Sequence, residues 1–154
     1  MEIRTAVAAD LPALAAGLAR LPLMVRYGRA ADRLEVDLEA ALARGEGLLL
    51  AVEAGRPVGL AWFLRQGTLG LGGYLRLIAV LDEAQARGVG AALLAAFEAQ
   101  VAAVSAHAFL LCSDFNLEAQ AFYERRGWAR SGALPDLVLP GVAELIYWKR
   151  VRPR

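Results

Sequence analysis

The sequence predicts a mixed α/β fold, a mostly antiparallel sheet of six or seven strands with helices on both faces. Three observations predict it. Short apolar, partly β-branched runs alternate with longer stretches rich in Ala and Leu whose apolar residues recur at helical spacing. Two of the short runs, Gly47–Glu53 and Pro57–Leu64, are separated only by Ala54-Gly55-Arg56, the signature of an antiparallel hairpin. Two others, Tyr74–Leu81 and Ala108–Cys112, flank a helix-length segment, as in a βαβ crossover. With 154 residues the chain is expected to form one domain, 1–154, able to bury roughly two thirds of the surface it exposes when unfolded.

Each element has a local reason. Glu2–Val7 reads as a short strand. Asp10 stands as N-cap, with Pro12 in the first turn, for a helix to about Leu18. Residues 19–31 hold Pro22, Gly28 and three arginines around Leu21, Leu23, Met24, Val25 and Tyr27, which suits a loop or broken helix. Asp32 opens a helix to Arg44 on the stripe Leu34, Val36, Leu38, Ala41 and Leu42. The hairpin follows, and the glycine-rich Gln66–Gly73 returns the chain into the strand at Tyr74. A helix begins after Gly88, and Ala108–Cys112 is the next strand. Beyond the junction Ser113-Asp114-Phe115, Asn116 caps a helix to about Arg126 that Gly127 stops. Trp128–Ala133 and Ala143–Arg150 are the last strands, joined by a loop with Pro135 and Pro140. The order is β-α-α-β-β-β-α-β-α-β-β.

Composition excludes several classes. A net charge of +1 gives no general case for nucleic acid, and the basic ending KRVRPR is too short to make one. No apolar run approaches the ~18 residues of a membrane span. The start, MEIRTAVAADLP, carries an acid at position 2 and lacks the apolar core of a signal peptide, so a cytoplasmic protein is expected. Cys112 and His107 are each the sole residue of their type, which excludes an internal disulfide and a Cys/His zinc site; no metal is expected. A nucleophilic triad would have to use His107, and there is no G-x-S-x-G. Lys149 is the only lysine among 17 basic residues, leaving none for Schiff-base chemistry elsewhere.

The stretch Tyr74–Phe97 carries the chemistry. A strand runs through a short polar turn into a helix, and Gly88 and Gly90 sit where the helix begins. The first helical turn has amides without intrahelical acceptors, and the macrodipole adds partial positive charge there. Glycines let a phosphate approach, and Arg87 adds a charge at the rim. The spacing Gln85-x-x-Gly88-x-Gly90 is neither a P-loop nor a dinucleotide fingerprint. Close helix–sheet packing would call for the same glycines.

Two segments together carry a family resemblance. LIAVLDEAQARGVGAALL resembles the acyl-CoA-binding segment of the GNAT N-acetyltransferases, [QR]-x-x-G-x-[GA] between a strand and a helix. Further on, NLEAQAFYERRGW resembles that family's second segment, in which an Asn opens a helix, Phe-Tyr follows and then Gly-aromatic. The resemblance implies a GNAT-like sheet whose central parallel strands, Tyr74–Leu81 and Ala108–Cys112, are splayed by a bulge to admit acetyl-CoA as co-substrate. The pantetheine arm would pair along Ile78-Ala79-Val80, through backbone groups of Ile78 and Val80. The pyrophosphate would sit on the turn Gln85, Ala86, Arg87, Gly88, Val89, Gly90 and Ala91. Tyr123 matches the tyrosine that protonates the departing thiolate; a packed aromatic would look the same. Asn116 matches a pantetheine contact, and equally a plain N-cap.

Some family features are missing here. Leu111 stands where family members acting on ribosomal-protein N-termini place a glutamate base. Asp114, Glu83 or a water, ordered with help from Tyr74, are the alternatives. The substrate mouth would be formed by Leu21–Ala31 and Leu134–Val142. Arg26 and Tyr27, with Arg29, would suit a carboxylate-bearing substrate, or else be solvated loop residues; Asp136 or Glu144 would suit a cationic amine. Trp62, Trp128 and Trp148 read as core. The implied function is acetyl transfer to a primary amine of a small molecule or peptide, in a family where homodimers are common. A non-catalytic CoA-binding regulatory module and a nucleotide- or phosphate-binding protein are the rivals.

Overall fold

A computed structural model describes residues 1–154. The strands are β1 (Glu2–Thr5), β2 (Gly47–Glu53), β3 (Arg56–Thr68), β4 (Gly72–Val80), β5 (His107–Ser113), β6 (Ala129–Pro135) and β7 (Ala143–Arg150). The helices are α1 (Leu11–Ala19), α2 (Pro22–Arg26), α3 (Ala31–Ala43), α4 (Val89–Ala102) and α5 (Leu117–Glu124). One mixed sheet runs β1-β2-β3-β4-β5-β7-β6. Its β1/β2, β2/β3, β5/β7 and β6/β7 pairs are antiparallel, and β4/β5 is parallel. The parallel ladder runs from Gly72↔His107 to Leu75↔Leu110 and stops there, although β4 continues to Val80 and β5 to Ser113.

The chain divides into two compact units. The first comprises residues 1–64 and 77–97. Its core joins Leu14 and Leu18 of α1, Leu34 and Leu38 of α3, and Leu48, Leu50 and Leu60 of the hairpin, all at most 1% exposed. On the helices these positions recur every three or four residues, so each helix buries one side, whereas residues 47–52 of β2 are buried on both faces. Phe63 meets Phe97 of α4 edge-on at 5.1 Å. Gly47 makes room for that ring, since a Cβ there would lie 2.4 Å from it.

The second unit comprises residues 65–76 and 98–154. Here Leu110, Leu145, Tyr147, Tyr123 and Trp128 are buried. Glu98 ties three elements together: its carboxylate accepts from Trp128 Nε1 at 2.9 Å and from Lys149 Nζ at 2.8 Å. Trp62 and Trp128 belong to the core, as the sequence suggests, and Trp148 is half-buried.

Several boundaries differ from the sequence reading. β3 continues to Thr68 and β4 starts at Gly72, where a glycine-rich loop was expected. The β2/β3 ladder ends at Gly47↔Phe63, and β3 continues beyond it through Arg65, Gln66 and Gly67, whose side chains are exposed. The segment 19–31 contains the short helix α2. Asp10 precedes α1, but its side chain does not cap that helix. Its carboxylate accepts from Val7 N–H at 2.9 Å and grips Arg4 through two 2.8 Å bonds, ending β1 at Thr5. The Arg4 hydrogen bond holds the Asp10 carboxyl below its ordinary range.

Candidate active site

In the first unit, β4 leaves the sheet past half-buried Ile78, Ala79 and Val80 and passes a 3-10 turn, Asp82–Ala84, before α4. The first bond of the α4 ladder runs from Ala92 N–H to Gly88 O at 3.1 Å, so the amides of Val89, Gly90 and Ala91 lie ahead of it. Ala86 and Gly88 both adopt left-handed backbone, with φ of +61° and +78°. No atom lies within 4 Å of where a Cβ on Gly88 would sit. Space for an anion and donors to hold it therefore coincide at this helix start. Packing contributes glycine as well, but at Gly59 of β3, where a Cβ would come within 3.0 Å of Ala79 O and of Leu93.

The two polar side chains of this turn are already engaged. Arg87 forms a 2.8 Å ion pair with Glu53 and donates to Glu83 O at 3.0 Å. Its charge at the rim is thus shared rather than free, as sequence alone would have it. Gln85 Nε2 donates to Asp82 Oδ1 at 3.1 Å and reaches Val80 O at 3.4 Å. A ligand pairing with Val80 would draw on that carbonyl. In the same unit, Arg26 ends α2, Tyr27 is its half-buried C-cap residue, and Arg29 pairs with Asp37 at 2.9 Å.

In the second unit, Asn116 caps α5 with Oδ1 accepting from Ala119 N–H at 3.1 Å. That satisfies the N-cap role in full; its Nδ2 takes no part in the cap. Tyr123, 6% exposed, packs against Phe122 at 5.3 Å, Trp128 at 6.1 Å and Tyr147 at 5.9 Å. Burial, helped by the nearby Cys112 thiol, raises the Tyr123 phenol above its ordinary range, so it is protonated at neutral pH and can act only as a proton donor. Cys112 is itself buried, and its thiol is pushed up to about 12, chiefly by burial; it is no nucleophile.

Other candidates sort themselves by their hydrogen bonds. Asp114 Oδ2 accepts from Ala143 N–H at 3.0 Å, and Asp136 Oδ1 from Gly141 N–H at 2.7 Å, so both hold loops. His107 Nδ1 accepts from Trp148 Nε1 at 3.1 Å with the rings stacked, a structural role. Glu83 is exposed on its turn. Tyr74 of β4 is half-buried, and burial raises its phenol, with the charge of Glu144 adding to the effect and Arg76 opposing it. Glu144, considered from sequence only for a cationic amine, is a buried acid on β7; periodicity gave no sign of its burial. A cleft of about 390 Å³ lined by Gln66, Leu71, Val104 and Ser105 offers no acid or base. No helix is long and apolar enough to cross a membrane.

Residues 17–128 match the family model described as Acetyltransferase (GNAT) family. The chain belongs to the GNAT acetyltransferase family. Its N-acetyltransferase class follows from that membership. No curated protein sequence matches it. Solved structures share the GNAT fold along the whole chain. An aminoglycoside 6'-N-acetyltransferase complexed with coenzyme A is 18% identical with a TM-score of 0.81, covering 100% of this chain and 99% of its own. A ribosomal-protein-alanine N-acetyltransferase from Brucella melitensis is 21% identical with a TM-score of 0.75, covering 97% and 99%. A GNAT-family acetyltransferase from Bacillus cereus is 18% identical with a TM-score of 0.80, covering 99% and 98%. At these identities the likeness speaks for the fold.

Proposed function

We propose that this GNAT-family protein transfers an acetyl group from acetyl-CoA directly to a primary amine of a small molecule or peptide. The observation that carries the reading is the start of α4, where the amides of Val89–Ala91 precede the helix ladder beside the open space at Gly88. Those amides would take the pyrophosphate. Backbone groups of Ile78 and Val80 would take the pantetheine arm, and a donor near Ile78 would polarise the thioester carbonyl. Tyr123 would give its proton to the departing thiolate, a role suited to a phenol that burial keeps protonated. Arg26, Tyr27 and Tyr74 would contact the acceptor. On this reading residues 1–154 work as one cytoplasmic acyltransferase domain, in keeping with a lone free cysteine.

The test is release of free CoA from acetyl-CoA in the presence of a panel of primary amines, with Tyr123→Phe in parallel. The variant should lose about 100-fold in kcat while its acetyl-CoA affinity, read by thermal shift, stays within about twofold. Equal loss of both, or no loss, would remove Tyr123 from its role. CoA binding with no amine turned over would make the protein a CoA-binding module, and stabilisation by ATP rather than CoA would end the reading.

A further inference from the structure

The turn that leads into α4 keeps its shape without help from a core. Ala84 and Val89 are buried at its two ends, and the four residues between them, Gln85 to Gly88, are exposed. Two of the four are left-handed, Ala86 at φ +61° and Gly88 at φ +78°. Glycine adopts that conformation freely. For alanine it is costly and persists only where the surroundings impose it. Backbone bonds impose little here: Gln85 N–H reaches Asp82 O at 3.4 Å, and the bond from Ala92 N–H to Gly88 O already belongs to α4.

Arg87 stands between the two left-handed residues and supplies the restraint. Its guanidinium donates to Glu83 O at 3.0 Å, in the preceding 3-10 turn, and pairs at 2.8 Å with Glu53, the last residue of β2. One tie closes the turn on itself, and the other fastens it to the sheet. Glu53 is 28% and Arg87 51% exposed, so the pair works in partial contact with water and its contribution is modest. An acid fixed at the rim of an anion site repels the phosphates that should enter it. A carboxylate in that place therefore calls for a role other than attraction.

We propose that Glu53 is a positioning residue for coenzyme A: through Arg87 it holds residues 85–88 in the form that leaves the amides of Val89, Gly90 and Ala91 together for the pyrophosphate. The inference rests on the acetyl-transfer reading, which puts the pyrophosphate there. Arg87 then acts through the backbone, and the amides bear the charge of the ligand. A turn already formed before the ligand arrives lowers the ordering cost of binding. The two roles open to Arg87 predict opposite effects of removing Glu53. A guanidinium that fixes the turn loses its anchor, the turn loosens and binding weakens. A guanidinium that is itself the phosphate ligand is set free, and binding strengthens.

The test measures CoA binding by calorimetry for wild type, Glu53→Gln, and Glu53→Gln combined with Ala86→Gly. E53Q should weaken CoA binding by more than about twofold and up to about fivefold, the range that an exposed pair can supply. The added glycine, for which the left-handed form carries no steric penalty, should bring Kd back to within about twofold of wild type. A merely structural Glu53 would lower the melting temperature of the free protein and leave the CoA Kd alone. A loss below about twofold, or tighter binding, overturns the inference while leaving acetyl transfer standing. Weakened binding that glycine does not rescue also overturns it, since a lost direct contact behaves in that way. Wild type that does not bind CoA overturns the acetyl-transfer reading together with the inference. Should E53Q not fold, E53D, whose shorter arm stretches the pair, decides by the same criteria.

Discussion

Position 88 is governed by backbone conformation. With φ at +78° and nothing within 4 Å of a Cβ site, a side chain there meets no steric obstacle and pays only the left-handed penalty. That penalty is about 1–2 kcal/mol for an L-residue, and the gain from a less flexible unfolded chain offsets about 0.4–1 kcal/mol of it. Gly88→Ala should therefore lower stability by about 1 kcal/mol, read from the urea midpoint; an unchanged midpoint would mean that the turn relaxes. Ala86 already bears the same strain at φ +61°. By the same two opposing terms taken in reverse, replacing it with glycine should raise stability by about 1 kcal/mol. Tyr123 and Cys112 show burial acting on chemistry at this scale, since the environment that raises the phenol as an acid also silences the thiol.

Among the elements, the β4/β5 ladder depends on a close approach at its first pair. A Cβ on Gly72 would fall 2.3 Å from His107 O, a backbone atom that cannot turn aside. Gly72→Ala should cost about 1–3 kcal/mol by overpacking, visible as a lower melting temperature. Gly132 on β6 is the control: its Cβ would meet Ile146 Cδ1 at 3.5 Å, an ordinary contact, so alanine there should be nearly neutral. A melt in which both variants fall equally would show that β4 pairing is not what Gly72 protects. The hairpin makes a related point. Its ladder ends at Gly47↔Phe63, and β3 alone runs on past the apolar run through exposed Arg65 and Gln66.

Across the molecule, titration sets the alkaline limit of stability. Tyr147 and Cys112 are pushed up to about 12 by burial, Tyr147 also through its 2.8 Å hydrogen bond to Glu124, and Tyr74 and Tyr123 are raised too. An unfolded chain would release these protons near pH 8.5 to 10, before the folded one does. Stability tied to the neutral groups is therefore complete below pH 8.5 and drains away as pH rises toward about 12. Melting temperature should fall steadily above pH 9, and Tyr147→Phe, which removes one of these protons, should fall less steeply. A melting temperature flat to pH 11 would contradict the burial of these groups. At the acid end Asp10 works with the opposite sign, its contribution present above its ordinary pKa and lost below it. That effect should be small, because Arg4 is substantially exposed.

How much was legible in the sequence follows the range of the forces involved. The element order, the bounds of β2 and β7, the Asn116 cap and the strand-turn-helix around Gly88 depend on neighbours within a few residues, so periodicity, caps and glycine spacing disclosed them. The GNAT family was legible for the same reason, its two motifs being local. Arg87 looked like a free cation because its partner, Glu53, lies on a strand far away in sequence. Asp10 looked like a helix cap because nothing local showed that Arg4 would claim its carboxylate. Glu144 stood beside Asp136 as one of two acids near the last strand, and only the register of β7 against β5, which set it opposite Ser113, showed that it is buried. Local order lay in the chain itself, whereas charge pairing and burial waited on which strands came to lie side by side, because desolvation depends on every neighbour in space.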